Sequence, residues 1–193
     1  DVTINQAIGQ DDPTNNSTIN FTVVFTEAVT DFDDAADVTL SGTAGATTIL
    51  ITGGPITYNV AVSGMTGDGT VIVSIGAGVA VDLASKPNNA STTSDDTVTY
   101  DATQPTVTID QALGQLDPTT ASPINFTVVF SEPVTDFNDA ADVSLSGSAG
   151  ATTILITGGP STYNVAVSGM TTVGTVIVAI PAGSAVDAAG NLN

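Results

Sequence analysis

Five carboxylates crowd eleven residues, Glu27, Asp31, Asp33, Asp34 and Asp37, with no basic residue among them. The spacing returns 105 positions later as Glu132, Asp136, Asp139 and Asp142, with Asn138 in place of one acid. Carboxylates packed this densely repel one another unless a cation sits among them. The chain has neither His nor Cys, so the soft donors of a transition-metal site are missing. Oxygen donors remain, and they suit calcium, which takes about six to eight of them. Glu27 and Glu132 are the only Glu residues and stand at matching positions, which makes them the leading ligand candidates.

Other chemistries fare worse. Catalysis needs a tuned acid, base or nucleophile, and this chain lacks His, Cys and Arg. Paired carboxylates could serve a glycosidase, but the sequence has no Trp and only three Tyr to build a sugar platform. The reading is therefore not an enzyme. The single Lys86 raises an intramolecular Lys–Asn bond, but the second repeat has Asn191 in its place, so Lys86 is read as a solvated charge. The net charge is −19, with 13 acids and the lysine before residue 105 and 7 acids after it. Nucleic acid and anionic membrane are poor partners for such a surface, because both require Lys or Arg to replace counterions. Without cysteine, no disulfide contributes. No apolar run reaches the length of a membrane span, and no signal-peptide pattern is present.

The elements that hold these acids are legible as strands. Phe21, Val23 and Phe25 alternate with Thr22, Val24 and Thr26, the period of a half-buried strand, and Phe126 to Phe130 repeats it. Without gaps, Val2–Asn88 aligns on Val107–Asn193 with roughly three-quarters of positions identical, a tandem duplication. Strands are expected at Val2–Asn5, Ile19–Thr26, Val38–Ser41, Thr47–Thr52, Tyr58–Ser63, Thr70–Ile75 and Thr97–Asp101. Turn residues such as Ser41-Gly42 and Gly53-Gly54-Pro55 separate them. The fold class is all-β, two tandem immunoglobulin-like β-sandwich domains over residues 1–103 and 104–193.

Alternation assigns the core to Ile4, Ile19, Phe21, Val23, Phe25, Val38, Leu40, Ile49, Ile51, Tyr58, Val60, Val62, Val71, Val73, Ile75 and Val98, and to their counterparts in the second repeat. Phe32 and Phe137 are read as plugs at the end of each sandwich. Leu83 to Asp96 reads as the one loose stretch. Thr97 to Val107 reads as a short, stiff linker through Pro105. The second repeat stops at Asn193, the partner of Asn88, and so lacks a closing strand. Two completions are open: residues that follow in a longer chain, or a strand donated by another subunit.

The phrase FSEPVTDF at Phe130 to Phe137 resembles the immunoglobulin-like tandem repeats of bacterial adhesin stalks and other cell-surface fibres. So do ADVSLSG at Ala141 to Gly147, VDAAGN at Val186 to Asn191 and the linker YDATQPTV. The resemblance implies an extracellular, structural spacer with calcium at module poles and junctions, and neighbouring repeats or fibre subunits as partners. In the first repeat VDAAGN becomes Val81-Asp82-Leu83-Ala84-Ser85-Lys86, which keeps the Asp and loses Gly and Asn.

Sandwich order brings the loops 27–37, 53–57 and 76–96 to the pole where the chain enters. The expected ligands are Glu27, Asp34, Asp37 and Asp82 in the first repeat. In the second they are Glu132, Asp136, Asp139, Asp142 and Asp187, with Asp101 arriving on the linker. For Asp37 and Asp142 a turn role, bonding local backbone amides, is equally open. Asp11, Asp12, Asp68, Asp95 and Asp96 are read as solvated loop charges. A calcium-dependent glycan-binding module is the rival function. Asn-x-Ser/Thr sites at Asn15, Asn16, Asn20, Asn89 and Asn125 are compatible with a glycosylated surface.

Overall fold

Ile19, Phe21, Val23 and Phe25 all turn inward from one strand and are at most 2 % exposed, while Val24 between them faces outward. This strand is the centre of the first of two units, Asp1–Ala102 and Thr103–Asn193, in a computed structural model that describes residues 1–193. The first unit comprises β1 (Val2–Gln6), β2 (Thr18–Phe25), β3 (Val29–Thr30), β4 (Val38–Ser41), β5 (Thr48–Gly53), β6 (Thr57–Ser63), β7 (Gly69–Ile75), β8 (Val81–Asp82), β9 (Thr92–Asp95) and β10 (Thr97–Tyr100). One sheet runs β5-β6-β2-β1-β9, a second runs β10-β7-β4, and β3 pairs β8.

The two larger sheets share one core. Val2, Ile4, Phe21, Val23, Val60 and Val62 come from the first sheet, and Val38, Val71, Val73 and Val98 from the second. The architecture is all-β and sandwich-like. Leu40, Ile49 and Ile51 pack against this core while remaining partly exposed, because β4 and β5 are edge strands. Close approach of β4 to β7 requires Gly42: its φ is +108°, and a Cβ there would collide with the Thr70 carbonyl.

The stretch read as loose is ordered by specific partners. Asn88 is buried, its Oδ1 accepts the Ala80 amide at 2.9 Å, and its Nδ2 donates to the Gly76 carbonyl at 2.8 Å. The Ser91 amide donates to the Ile75 carbonyl, and β9 then lies parallel to β1. All four residues of β9 are exposed, so no alternation of apolar residues marks it. Two acids read as solvated also have structural work. Asp12 Oδ1 accepts the Thr99 amide at 2.9 Å, and Asp68 Oδ1 accepts the Ala102 amide at 2.8 Å, so both fasten the end of β10.

The second unit comprises β11 (Val107–Gln111), β12 (Ile124–Phe130), β13 (Ser144–Ser146), β14 (Thr153–Gly158), β15 (Thr162–Ser168) and β16 (Ile177–Ala179). Its sheets run β11-β12-β15-β14 and β13-β16. Register is kept: Val107 faces Phe130 as Val2 faces Phe25. The duplicated core residues differ in exposure between the units. Phe126 and Val176 are half-buried, whereas their partners Phe21 and Val71 are 0 % exposed.

Candidate metal centre

In each unit the acidic loop is anchored by a triad of aromatic rings. Phe32 stacks edge-on against Phe25 at 5.3 Å and Tyr58 at 5.0 Å; Phe137 repeats this with Phe130 at 5.3 Å and Tyr163 at 5.0 Å. Both Phe rings are 2 % exposed and close the end of the core. The Tyr58 hydroxyl donates to the Val29 carbonyl, and the Tyr163 hydroxyl donates to the Val134 carbonyl at 3.1 Å. Burial pushes both phenols above their ordinary pKa, and nearby Asp33 adds to this at Tyr58. An apolar anchor thus holds each loop rigidly at its base while its carboxylates face outward.

The loop acids divide into two groups. Asp34 and Asp139 are N-caps of the one-turn 3-10 segments Ala35–Asp37 and Ala140–Asp142. Their Oδ1 atoms accept the Ala36 amide at 2.6 Å and the Ala141 amide at 2.7 Å. Asp37 Oδ2 accepts the Asp33 and Asp34 amides, and Asp142 Oδ2 accepts the Asn138 and Asp139 amides, completing a capping box in each loop. The amides partly offset the carboxylate charge here, which is the turn role that the sequence left open for Asp37 and Asp142. Asp31 and Asp136 sit in left-handed conformation, φ 69° and 67°, where Asp is better tolerated than most residues.

Glu132 and Asp187 form the second group. Each offers a carboxylate oxygen within 4.8 Å of the other, close enough to share one cation. Asp187 is 6 % exposed and sits in a tight turn. Its Oδ1 accepts the Ala189 and Asn191 amides, both at 2.8 Å, and its Oδ2 accepts the Asn191 side-chain amide at 2.9 Å. A short pairing between Thr135 and Val186 carries this turn to the acidic loop. Donors are all oxygen, so the arrangement suits a hard cation such as calcium rather than a soft metal.

In the first unit the corresponding acids, Glu27 and Asp82, line one cavity. β3 and β8 bring them there by pairing Val29 with Asp82. Asp82 Oδ1 accepts the Ala84 and Lys86 amides at 2.8 and 2.9 Å, as in the second unit. Lys86, at the position of Asn191, lines the same cavity and is exposed. Asp101 follows β10, and its amide donates to the Thr14 carbonyl at 3.0 Å.

Sequence reasoning noted Asn191 but not its bond to the Asp187 carboxylate, and it gave no role to Asn88 in the first unit or Asn193 in the second, whose side chains accept the Ala80 and Ala185 amides. A turn Asp followed four residues later by Asn was the available signal. The sequence matches no protein-family model, and no curated protein matches it.

Proposed function

We propose that the chain is a structural spacer segment of an extracellular bacterial fibre, adhesin or surface layer, made of two immunoglobulin-like modules and stiffened by calcium at their poles. The observation that carries this is the duplication itself. Two near-identical all-β units repeat the same aromatic anchor, capping box and carboxylate pole, which is what an array of interchangeable building blocks requires. Glu132 and Asp187 are the ligands this reading places in the second module, with backbone carbonyls and water completing the shell. Calcium supplies positive charge where the chain has one lysine against twenty acids.

A ligand that binds only the folded state stabilises it by mass action, by about 2.7 kcal/mol at a hundredfold excess over Kd. Melting the protein with calcium and with chelator tests the metal: a rise in the transition with calcium is expected, and superimposable curves would remove it. Binding of a defined glycan by the isolated protein would replace the spacer reading with a lectin.

A further inference from the structure

β5 (Thr48–Gly53) stands at the end of its sheet and pairs with β6 alone, antiparallel, with Thr52 opposite Asn59 and Leu50 opposite Ala61. The Gly54 amide donates to the Thr57 carbonyl, and in an antiparallel ladder the bonded pairs then fall at every second residue, at Thr52, Leu50 and Thr48. The backbone N–H and C=O groups of Ile49 and Ile51 therefore point away from β6, along the outer edge. No other backbone group bonds to them. β14 (Thr153–Gly158) repeats this: it too ends its sheet, pairs only with β15, and is followed by a Gly159 amide that donates to the Thr162 carbonyl.

Strand edges are commonly blunted by charge, proline, a bulge or shortness. The other edges of the first unit show such devices: β9 carries Asp95 and shifts register against β1, and β4 and β10 are four residues each. β5 has six residues, no charge and no proline. Its exposed side chains are Thr48, Leu50 and Thr52, and Leu50 is 60 % exposed, as is Leu155 on β14. Thr48-Ile49-Leu50-Ile51-Thr52 also reads the same in both directions, and so does Thr153-Ile154-Leu155-Ile156-Thr157. Such a strand is its own complement. Laid antiparallel on a second copy about a twofold axis between the two Leu50 residues, it sets Leu50 against Leu50, Ile49 against Ile51 and Thr48 against Thr52. The Ile pairs fall where the free backbone groups lie and exchange four hydrogen bonds, while the Leu pair falls at the closer, non-bonded position. Two leucines exposed in the single unit then cover each other.

We propose that β5 pairs antiparallel with β5 of a second copy of this chain in that register, and that β14 offers the same contact in the second unit. Charge names the occupant. With twenty acids and one lysine, a basic partner is drawn to the acidic loops, whereas a partner as acidic as the chain itself approaches most easily where acids are absent. Asp31 and Asp33 rim the contact, in one cavity with Thr52 and Gly53, so salt tightens the pairing by screening them. One pair of short strands is a small contact beside the roughly 800 Å² per partner of a stable interface, so each is weak and gains strength when repeated along a chain. The pairing uses neither Glu132 nor Asp187, so its failure and the failure of the calcium reading are separate results.

The test is sedimentation equilibrium of the 193-residue protein in chelator, from micromolar to millimolar concentration. Reversible self-association that strengthens from low to high salt is expected. Leu50→Asp combined with Leu155→Asp sets carboxylates opposite one another in each contact and should weaken association by at least about tenfold. Both positions are exposed, so the units stay folded. Val24→Asp, on the same outer face but on β2, two strands from the edge, should leave association near the parent value. The register is read separately. The chain has no cysteine, and facing Cα atoms at a non-bonded antiparallel position lie about 4.5 Å apart, within disulfide reach. Leu50→Cys should therefore form a disulfide-linked dimer on air oxidation, while Val24→Cys stays monomeric. A protein that is monomeric throughout at high salt, association that survives both Leu→Asp changes, or an equal loss with Val24→Asp overturns the proposal. Equal cross-linking of the two cysteine variants also overturns it.

Discussion

The two units carry nearly the same sequence over Val2–Asn88 and Val107–Asn193, yet their cores differ in how far they exclude water. Ile4, Ile19, Phe21, Val71 and Val73 are 0 % exposed, while Ile109, Ile124, Phe126, Val176 and Val178 are all half-buried. The poles behave differently: Phe32 and Phe137 are equally buried, and Tyr58 and Tyr163 are equally buried. Burial is thus a property of the whole sheet arrangement, and identical residues contribute according to what covers them. In the first unit Val98 lies fully buried over the core, while the poles of the two units match.

The largest effect that can test this contrast is at the paired phenylalanines. Phe21→Ala should destabilise the first unit by about 3–5 kcal/mol. Phe126→Ala, at a site already open to water, should cost at least about 1 kcal/mol less, since less apolar area leaves water there on folding. Urea unfolding followed by unit-specific amide signals measures both. Equal losses would mean that the second core is closed in solution.

A smaller effect separates the two carboxylate turns. Asn191→Ala removes the amide donor from the buried Asp187 Oδ2, and in calcium-free buffer it should cost about 1–3 kcal/mol. Lys86→Ala, at the exposed equivalent, should stay within about 0.5 kcal/mol. The reciprocal exchange sharpens the point: Lys86→Asn should raise calcium affinity in the first unit and Asn191→Lys should lower it in the second, read by calorimetric titration. Unchanged affinities would show that this position does not govern cation binding.

The smallest effect probes what the poles share. Asp34→Ala and Asp139→Ala each remove one N-cap and should cost about 1 kcal/mol. The two losses should agree. A marked inequality in the denaturation midpoints would show that the open side of the second unit also weakens its acidic loop.

Much of the fold was legible because β2, β6 and β7 bury alternate residues, and an apolar period is what sequence patterning reports. β9 was invisible for the same reason: four exposed Ser, Thr and Asp residues on a sheet edge carry no period, and they are held by backbone pairing and by Asn5. The two-residue β3 and β8 are too short to show alternation, yet they bring Glu27 and Asp82 to one cavity. At the candidate site the acids could be named from composition, but their division could not. Amides do not make that division, since Asp187 accepts two of them as Asp37 and Asp142 do; a second carboxylate close by does. Asp37 and Asp142 receive two amides each, while Glu132 is brought near Asp187 by residues about fifty positions away.

Lys86 has one further consequence. It is the chain's single basic residue, its amide is held by Asp82, and the next residue is Pro87, which forms a short bridge with Val81. Proteases that cut after lysine or arginine need a flexible bond with an ordinary amide on its far side. Pro87 denies them that amide, so no bond in these 193 residues suits a trypsin-like enzyme. Resistance to such an enzyme is thereby written into the backbone, independent of how tightly either unit folds.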